Sequence, residues 1–371
     1  MGKTKILMVL ISTNVGGAEM FVLNLLKNMD LTRFQVDIVV SLKENENGIG
    51  NELKALGCHI YTLPYFKVYN YIKYQNAWKT FLSDHHYDIV HGHATNSAAI
   101  YLHIAKNMGC ATIAHCHSAG YRGNWMEKKL KNYYSKKVGG VADYWFACSD
   151  KAAEHLYGKD FSAYGKYYMI PNAINTDKYL YDESVAHRIR QELGIGEDAF
   201  VCGHVGSFTP PKNHMYLLDV FNEVTKRIPN AKLLCCGEGV LMSQFKEKAK
   251  HMGIEDKLIL PGVVKNVNEY LMAMDVFIFP SLFEGFPISV IESEATGLPV
   301  VMSDVITPEV DLLDSIRRCS LADNPTKWAD MICGIEKHDR KACNYIIGNS
   351  KYNMLTTARL VMSLYNEIIN S

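Results

Sequence analysis

The chain has 371 residues, 48% of them apolar and 21% charged, with equal numbers of acidic and basic side chains. That apolar content excludes a disordered chain, and the length passes the roughly 250–300 residues at which one hydrophobic core stops growing, so two domains are expected. A zero net charge excludes a nucleic-acid partner, yet residues 1–180 carry 20 Lys/Arg against 14 Asp/Glu, which leaves the first half open to an anionic surface.

In chain order, Ile6–Ile11 reads as a first buried strand, too short for a secretory leader and followed directly by Asn14-Val15-Gly16-Gly17. Helical and apolar patterns then alternate: Ala18–Met29, Gln35–Val40, Ile49–Leu56, His59–Leu63, Ile89–His91 and Thr112–His115. Repeated β-α-β means a parallel sheet. After Tyr167–Ile170 the stretch Pro171-Asn172-Ala173-Ile174-Asn175 breaks the pattern, and a helix over 184–193 leads to a second series of strands. These are Phe200–Val205, Ala231–Cys236, Leu258–Leu260, Val276–Pro280 and Pro299–Met302, before a last helix over 356–369. The expected architecture is α/β, with two Rossmann-like doubly wound domains facing across a cleft. Their bounds are 1–171 and 172–355, with 356–371 packing back on the first. Ligands bind such sheets at the carboxyl ends of the strands, so the loops after strands hold the candidate residues.

One such loop is Pro280-Ser281-Leu282-Phe283-Glu284-Gly285-Phe286-Pro287, which opens a helix containing Ile288, Ser289 and Glu292, with Pro287 expected as its first residue. Glu284 can accept hydrogen bonds from sugar hydroxyls, Glu292 can grip a ribose diol, and free N–H groups of Ile288 and Ser289 can face a phosphate. Pattern alone fits a helix cap with a solvated Glu equally well. His115 and His117, two apart on a strand, point to one face, which raises metal binding; no third ligand of suitable spacing stands nearby in the sequence.

The Glu-Gly-Phe-Pro-x4-Glu arrangement of Glu284–Glu292, with its flanking Pro-Ser-Leu and Gly297-Leu298-Pro299-Val300, resembles the Glu-x7-Glu signature of the retaining glycosyltransferases with the GT-B fold, as in bacterial capsule and exopolysaccharide enzymes. The resemblance covers nearly the whole chain. It implies that Glu284 holds the donor sugar and Glu292 the ribose, with Gly285, Phe286, Pro287, Ile288 and Ser289 lining the donor. Gly16 and Gly17 are similar to the family's Gly-Gly loop at the pyrophosphate, and Ile170–Asn175 to its interdomain segment. Val205-Gly206-Ser207-Phe208-Thr209-Pro210-Pro211-Lys212-Asn213 resembles the family's Gly-Arg-x4-Lys loop: Lys212 is kept, but Ser207 stands where an Arg is expected. By the same resemblance His117 reaches the donor sugar, and Gly237 and Val264 belong to the loops that cradle the nucleoside. His117, Glu284 and Lys212 are the implied catalytic residues.

The implied reaction moves a sugar from a nucleotide diphosphate, a UDP-sugar, to a glycan or lipid-linked acceptor in cell-surface polysaccharide synthesis. Retention without an evident nucleophile implies attack on the face from which the diphosphate leaves. A GT-B-fold epimerase and an inactive nucleotide-sugar binder, which Ser207 permits, are the alternatives. A dinucleotide-dependent dehydrogenase is excluded by the lack of Gly-x-Gly-x-x-Gly after either first strand, and Ser-centred hydrolysis by the lack of a Gly-x-Ser-x-Gly elbow. No Asp-x-Asp pair precedes a sugar pocket, so neither metal nor other cofactor is expected. Ten scattered cysteines without zinc spacing suit a reducing cytoplasm, and no stretch of about 18 uncharged apolar residues would span a bilayer. Two aromatic and basic stretches, Tyr65–Phe81 and Tyr121–Lys137, read as solvated helices or as a patch resting on anionic lipid at the inner face of the membrane.

Overall fold

The computed structural model describes residues 2–42, 44–45, 48–117, 137–284, 286–336 and 339–371. The chain divides into two compact units, one of residues 1–174 and 354–371, the other of residues 175–353.

The first unit is built on a seven-stranded sheet: β1 (Thr4–Val9), β2 (Phe34–Val40), β3 (Ile60–Thr62), β4 (Ile89–Gly92), β5 (Ala111–Cys116), β6 (Tyr144–Ala147) and β7 (Tyr167–Met169). Its order is β3-β2-β1-β4-β5-β6-β7 and every pairing is parallel. Parallel strands are covered on both faces, which is why β1, with Ile6, Leu7 and Met8 fully buried, reads as a continuous apolar run rather than an alternation. Helix Gly17–Lys27 buries Phe21, Val22, Leu25 and Leu26, and helix Met354–Asn370 adds Ala358, Val361, Leu364 and Tyr365 to the same core. At i, i+3, i+6 and i+7 these apolar positions form one stripe of that last helix.

The second unit carries β8 (Val201–Val205), β9 (Lys232–Cys236), β10 (Leu258–Gly262), β11 (Val276–Phe279), β12 (Val300–Ser303) and β13 (Ile316–Cys319) in the order β10-β9-β8-β11-β12-β13, again all parallel. The strand order turns back between β8 and β11, the topological switch point where such sheets open a ligand crevice. Two strands, β6 and β13, were absent from the sequence reading. In β13 the two arginines hide the pattern: Arg318 reaches the Ile306 and Thr307 carbonyls and Asp311, while Arg317 reaches the carbonyls of Met331 and Gly334, so an edge strand is anchored by guanidiniums rather than apolar side chains. Ile49–Leu56 is helical over Gly50–Ala55. All ten cysteines are free thiols, eight of them buried. Among the described residues no helix is long and apolar enough to cross a membrane.

Candidate active site

The loops after β8 and β11 flank the switch point of the second sheet. Asn213 adopts a left-handed backbone (φ 55°), and its side-chain amide donates to the Pro280 carbonyl at 3.1 Å. The Leu282 N–H donates to the Pro211 carbonyl at 2.8 Å, so the two loops are laced together by main-chain groups. This sets Lys212 Nζ 2.7 Å from Glu284 Oε1, with side chains 17% and 16% exposed. The contact is an ion pair without hydrogen-bond alignment, and the buried Oε1 keeps its capacity to accept a hydrogen bond. Lys212 Nζ also lies over the Phe279 ring, 4.7 Å from its centre. Two residues 72 apart in sequence thus place one cation and one carboxylate side by side at the carboxyl ends of adjacent strands.

Ser207 begins the turn beneath them, its hydroxyl 3.3 Å from that of Thr209. The Gly237 loop after β9 presses directly on this turn. Gly237 has φ 142°, and a Cβ there would lie 2.1 Å from the Gly206 carbonyl oxygen, so only glycine fits. Val264 follows β10, in the next loop along the same sheet edge.

Helix Ile288–Ala295 starts one residue later than expected, with Pro287 as its N-cap. Its first amide is engaged: the Ile288 N–H donates to the Phe286 carbonyl at 3.1 Å and does not face outward with that of Ser289. Phe286 packs on the Tyr352 ring, centres 5.4 Å apart. Gly285 lies outside the described residues. Glu292 Oε1 accepts a 2.5 Å hydrogen bond from the Tyr179 hydroxyl, a partner with no sequence signal. Burial raises the Glu292 pKa, opposed by that bond and by Lys212; burial and then Glu292 itself hold the Tyr179 hydroxyl far above its usual range. Two residues along, Glu294 is fully buried, one oxygen accepting the Leu312 and Leu313 N–H groups at 2.9 Å each, and burial pushes its pKa up to about 8.

In the first unit the switch point lies between β1 and β4. Gly16 caps helix Gly17–Lys27 and Gly17 is its first residue, so both follow β1 as the sequence implies. His117 directly follows β5. Its Nδ1 lies 2.7 Å from the Asn172 side-chain oxygen and its Nε2 2.7 Å from His93 Nδ1, so both ring nitrogens are occupied. Sequence spacing offers His115 and His117 no third ligand nearby, but the fold supplies further imidazoles from the adjacent strand. Parallel pairing of β4 with β5 brings His91 and His93 beside them, with ring centres of His91 and His93 4.2 Å apart and His91 Nε2 3.2 Å from His115 Nδ1. Burial holds His91, His93 and His115 well below the usual imidazole range and His117 at about 4, so all four are neutral at pH 7.

Of the two aromatic and basic stretches, residues 121–136 lie outside the described residues. In the other, helix Tyr71–Asp84 buries Tyr74, Trp78 and Phe81, while Tyr69 and Ile72 are exposed.

Residues 15–178 match the family described as glycosyltransferase family 4, and residues 199–337 the glycosyl transferases group 1. Two doubly wound parallel sheets, each lying largely in one of these regions, make the chain a glycosyltransferase of the GT-B architecture. Over 98% of its length it is 26% identical to EpsF of Bacillus subtilis, 96% of which is covered. It is also 26% identical, across 59% of this chain and 58% of the relative, to the Escherichia coli UDP-Gal:α-D-GlcNAc-diphosphoundecaprenol α-1,3-galactosyltransferase. Among solved structures, Anabaena HepE in complex with UDP superimposes with a TM-score of 0.79 at 14% identity, covering 98% of this chain and 100% of that one.

Proposed function

We propose that this glycosyltransferase takes a UDP-sugar as donor, retains the configuration of the transferred sugar, and extends a lipid-linked glycan in cell-surface polysaccharide synthesis. The observation that carries the reading is the Lys212–Glu284 pair at the switch point of the second sheet. A donor presents opposite demands a few ångströms apart: a diphosphate that gathers negative charge as it leaves, and sugar hydroxyls that need an acceptor. Lys212 meets the first and Glu284 the second, so donor binding exchanges the ion pair for two ligand contacts. Glu292, held by Tyr179, takes the ribose diol.

Negative charge builds on the departing diphosphate as the transition state is reached, which is where a fixed cation lowers the barrier. With Ser207 in place of an arginine, Lys212 bears that role with the helix N-termini around it. The acceptor oxygen attacks on the face from which the diphosphate leaves, and a diphosphate oxygen takes its proton. The Escherichia coli relative supports both the uridine donor and the diphosphoundecaprenol-linked acceptor, and the UDP complex of HepE supports the uridine again.

The test begins with thermal shift against UDP, GDP and ADP sugars, since a ligand that binds the native state raises its melting temperature. Transfer from the stabilising donor to a diphosphoundecaprenol-linked sugar is then followed by NMR of the new anomeric centre. Stabilisation by UDP-sugars and an unchanged anomeric configuration are expected. An inverted product, or preference for GDP- or ADP-sugars, would overturn the respective part of the reading.

A further inference from the structure

The histidines of β4 and β5 form a set that the glycosyl-transfer reading does not use. His91, His93 and His115 each offer one ring nitrogen, and the three lie within 4.8 Å of one another. His91 and His115 are fully buried and His93 nearly so.

Hydrogen-bond bookkeeping fixes the tautomers. The Asn172 amide nitrogen faces the His117 carbonyl at 3.4 Å, so its oxygen is the atom turned to His117 Nδ1. That oxygen only accepts, hence His117 carries its proton on Nδ1 and, being neutral, presents a bare Nε2. His93 must then donate to it through Nδ1, which leaves His93 Nε2 as a bare lone pair. That nitrogen is buried and has no hydrogen-bond partner among the described residues. An unmet acceptor in an interior is costly, and what it lacks is a proton donor or a cation.

The neighbouring geometry favours a cation. His91 Nε2 and His115 Nδ1 stand 3.2 Å apart, long for a hydrogen bond and close to the ~3.3 Å separating two nitrogens bound at ~2.0–2.1 Å to one tetrahedral ion. Two of the three nitrogens facing away from the set are held: His91 Nδ1 lies 2.6 Å from the Tyr365 hydroxyl, and His93 Nδ1 donates to His117, while His115 Nε2 has no hydrogen-bond partner among the described residues. Metal-bound imidazoles are oriented in this way, through the nitrogen that does not touch the ion. His91 at the end of β4 and His93 just beyond it supply two ligands and His115 of β5 the third, and Phe21 and Phe146 wall the rings at centre distances of 5.2 and 5.4 Å.

We propose that His91, His93 and His115 form a buried site for a divalent transition-metal ion of the zinc class, with Tyr365 and His117 orienting the ligands. Three neutral nitrogens and no oxygen select zinc, copper, nickel or cobalt over magnesium or calcium. Because the ligands come from two strands and the orienting hydroxyl from helix Met354–Asn370, the ion ties that helix to the sheet. His117 adjoins the set through His93, so the test reads metal retention and does not depend on turnover.

The full chain, produced in zinc-supplemented medium and dialysed against metal-free buffer, is expected to retain about one zinc per chain and to melt at higher temperature than chain stripped with a strong chelator. His93→Leu and His115→Leu should abolish retention, while His59→Ala and His103→Ala, away from the set, should leave it unchanged. Tyr365→Phe should weaken binding about 10- to 100-fold without abolishing it. If a leucine variant fails to fold, the cobalt-loaded wild type carries the test: the intense visible bands of four-coordinate cobalt support the site, and a pale six-coordinate spectrum overturns it. No retained zinc, or equal zinc in wild type and both folded leucine variants, also overturns it.

Discussion

Lys212→Met removes the cation from the pair at the switch point while keeping most of the side-chain volume over Phe279. Breaking a fully buried ion pair costs about 3–5 kcal/mol because the surviving charge is stranded. Here about a sixth of each side chain still meets water, and about 2 kcal/mol is the expected loss of stability. For a unit of this size that lowers the melting temperature by about 4–8 °C. The effect on transfer is separate, since removing one fixed donor to developing charge costs about 100- to 1,000-fold in kcat. The double variant Lys212→Met/Glu284→Gln distinguishes the two, because it removes both charges. It should recover most of the melting temperature and none of the activity. The assay is UDP release coupled to acceptor extension, run beside differential scanning calorimetry. A Lys212→Met protein with wild-type kcat/KM would refute the assignment of Lys212 to the diphosphate, and a double variant no more stable than the single one would refute the stranded-charge argument.

Tyr179→Phe removes the hydroxyl that holds Glu292, and KM for the donor should rise with kcat little changed; an unaltered KM would detach Glu292 from the ribose. Glu294 has a folded-state pKa raised to about 8, so its contribution to stability is fully present below the unfolded carboxyl range, near 4.5, and is lost as pH rises through 8. Glu294→Gln, which keeps an acceptor for the Leu312 and Leu313 amides, should flatten that slope and raise the melting temperature at pH 9; an unchanged slope in calorimetry would locate the titration elsewhere. Transfer should proceed in EDTA without added magnesium or manganese, and activity restored only by one of these ions would place an oxygen-bound metal at the diphosphate. Sedimentation with anionic vesicles should exceed that with neutral ones, weaken with salt, and fall when Lys128, Lys129 and Lys131 are neutralised; equal recovery with both vesicles would return residues 121–137 to a solvated surface.

The parallel sheets were legible because buried parallel strands are apolar on both faces and sit between helical periods, as Val276–Phe279 and Val201–Val205 do. Where a strand departs from that rule it was lost: Ile316-Arg317-Arg318-Cys319 reads as a polar loop until its guanidiniums are seen capping carbonyls. Lys212, Glu284 and Glu292 stood out individually by their places in loops and in a signature, but nothing in linear order says that Asn213 pins Pro280 and so brings two loops together. Tyr179 lies 113 residues from Glu292 and is an ordinary loop tyrosine until the helix is placed. The histidine set shows the same limit. His91 sat at the end of a strand already recognised, and only the register that pairs it with Ile113 puts it on the face of His115. The engaged amide of Ile288 depends on the turn at Phe286 and Pro287, a backbone choice that composition does not fix.

Helix Met354–Asn370 completes the core of a unit whose sheet is made of residues 4–169, while residues 175–353 form a compact unit of their own in between. During synthesis the first sheet therefore waits, with the surface beside Phe34 uncovered, until an entire second unit has been translated. The later segment can close its own core at once. A chain interrupted anywhere in the final helix is left with one finished unit and one exposing apolar surface, so deletions of even a turn or two there should send the protein into inclusion bodies and chaperone complexes long before they touch the chemistry.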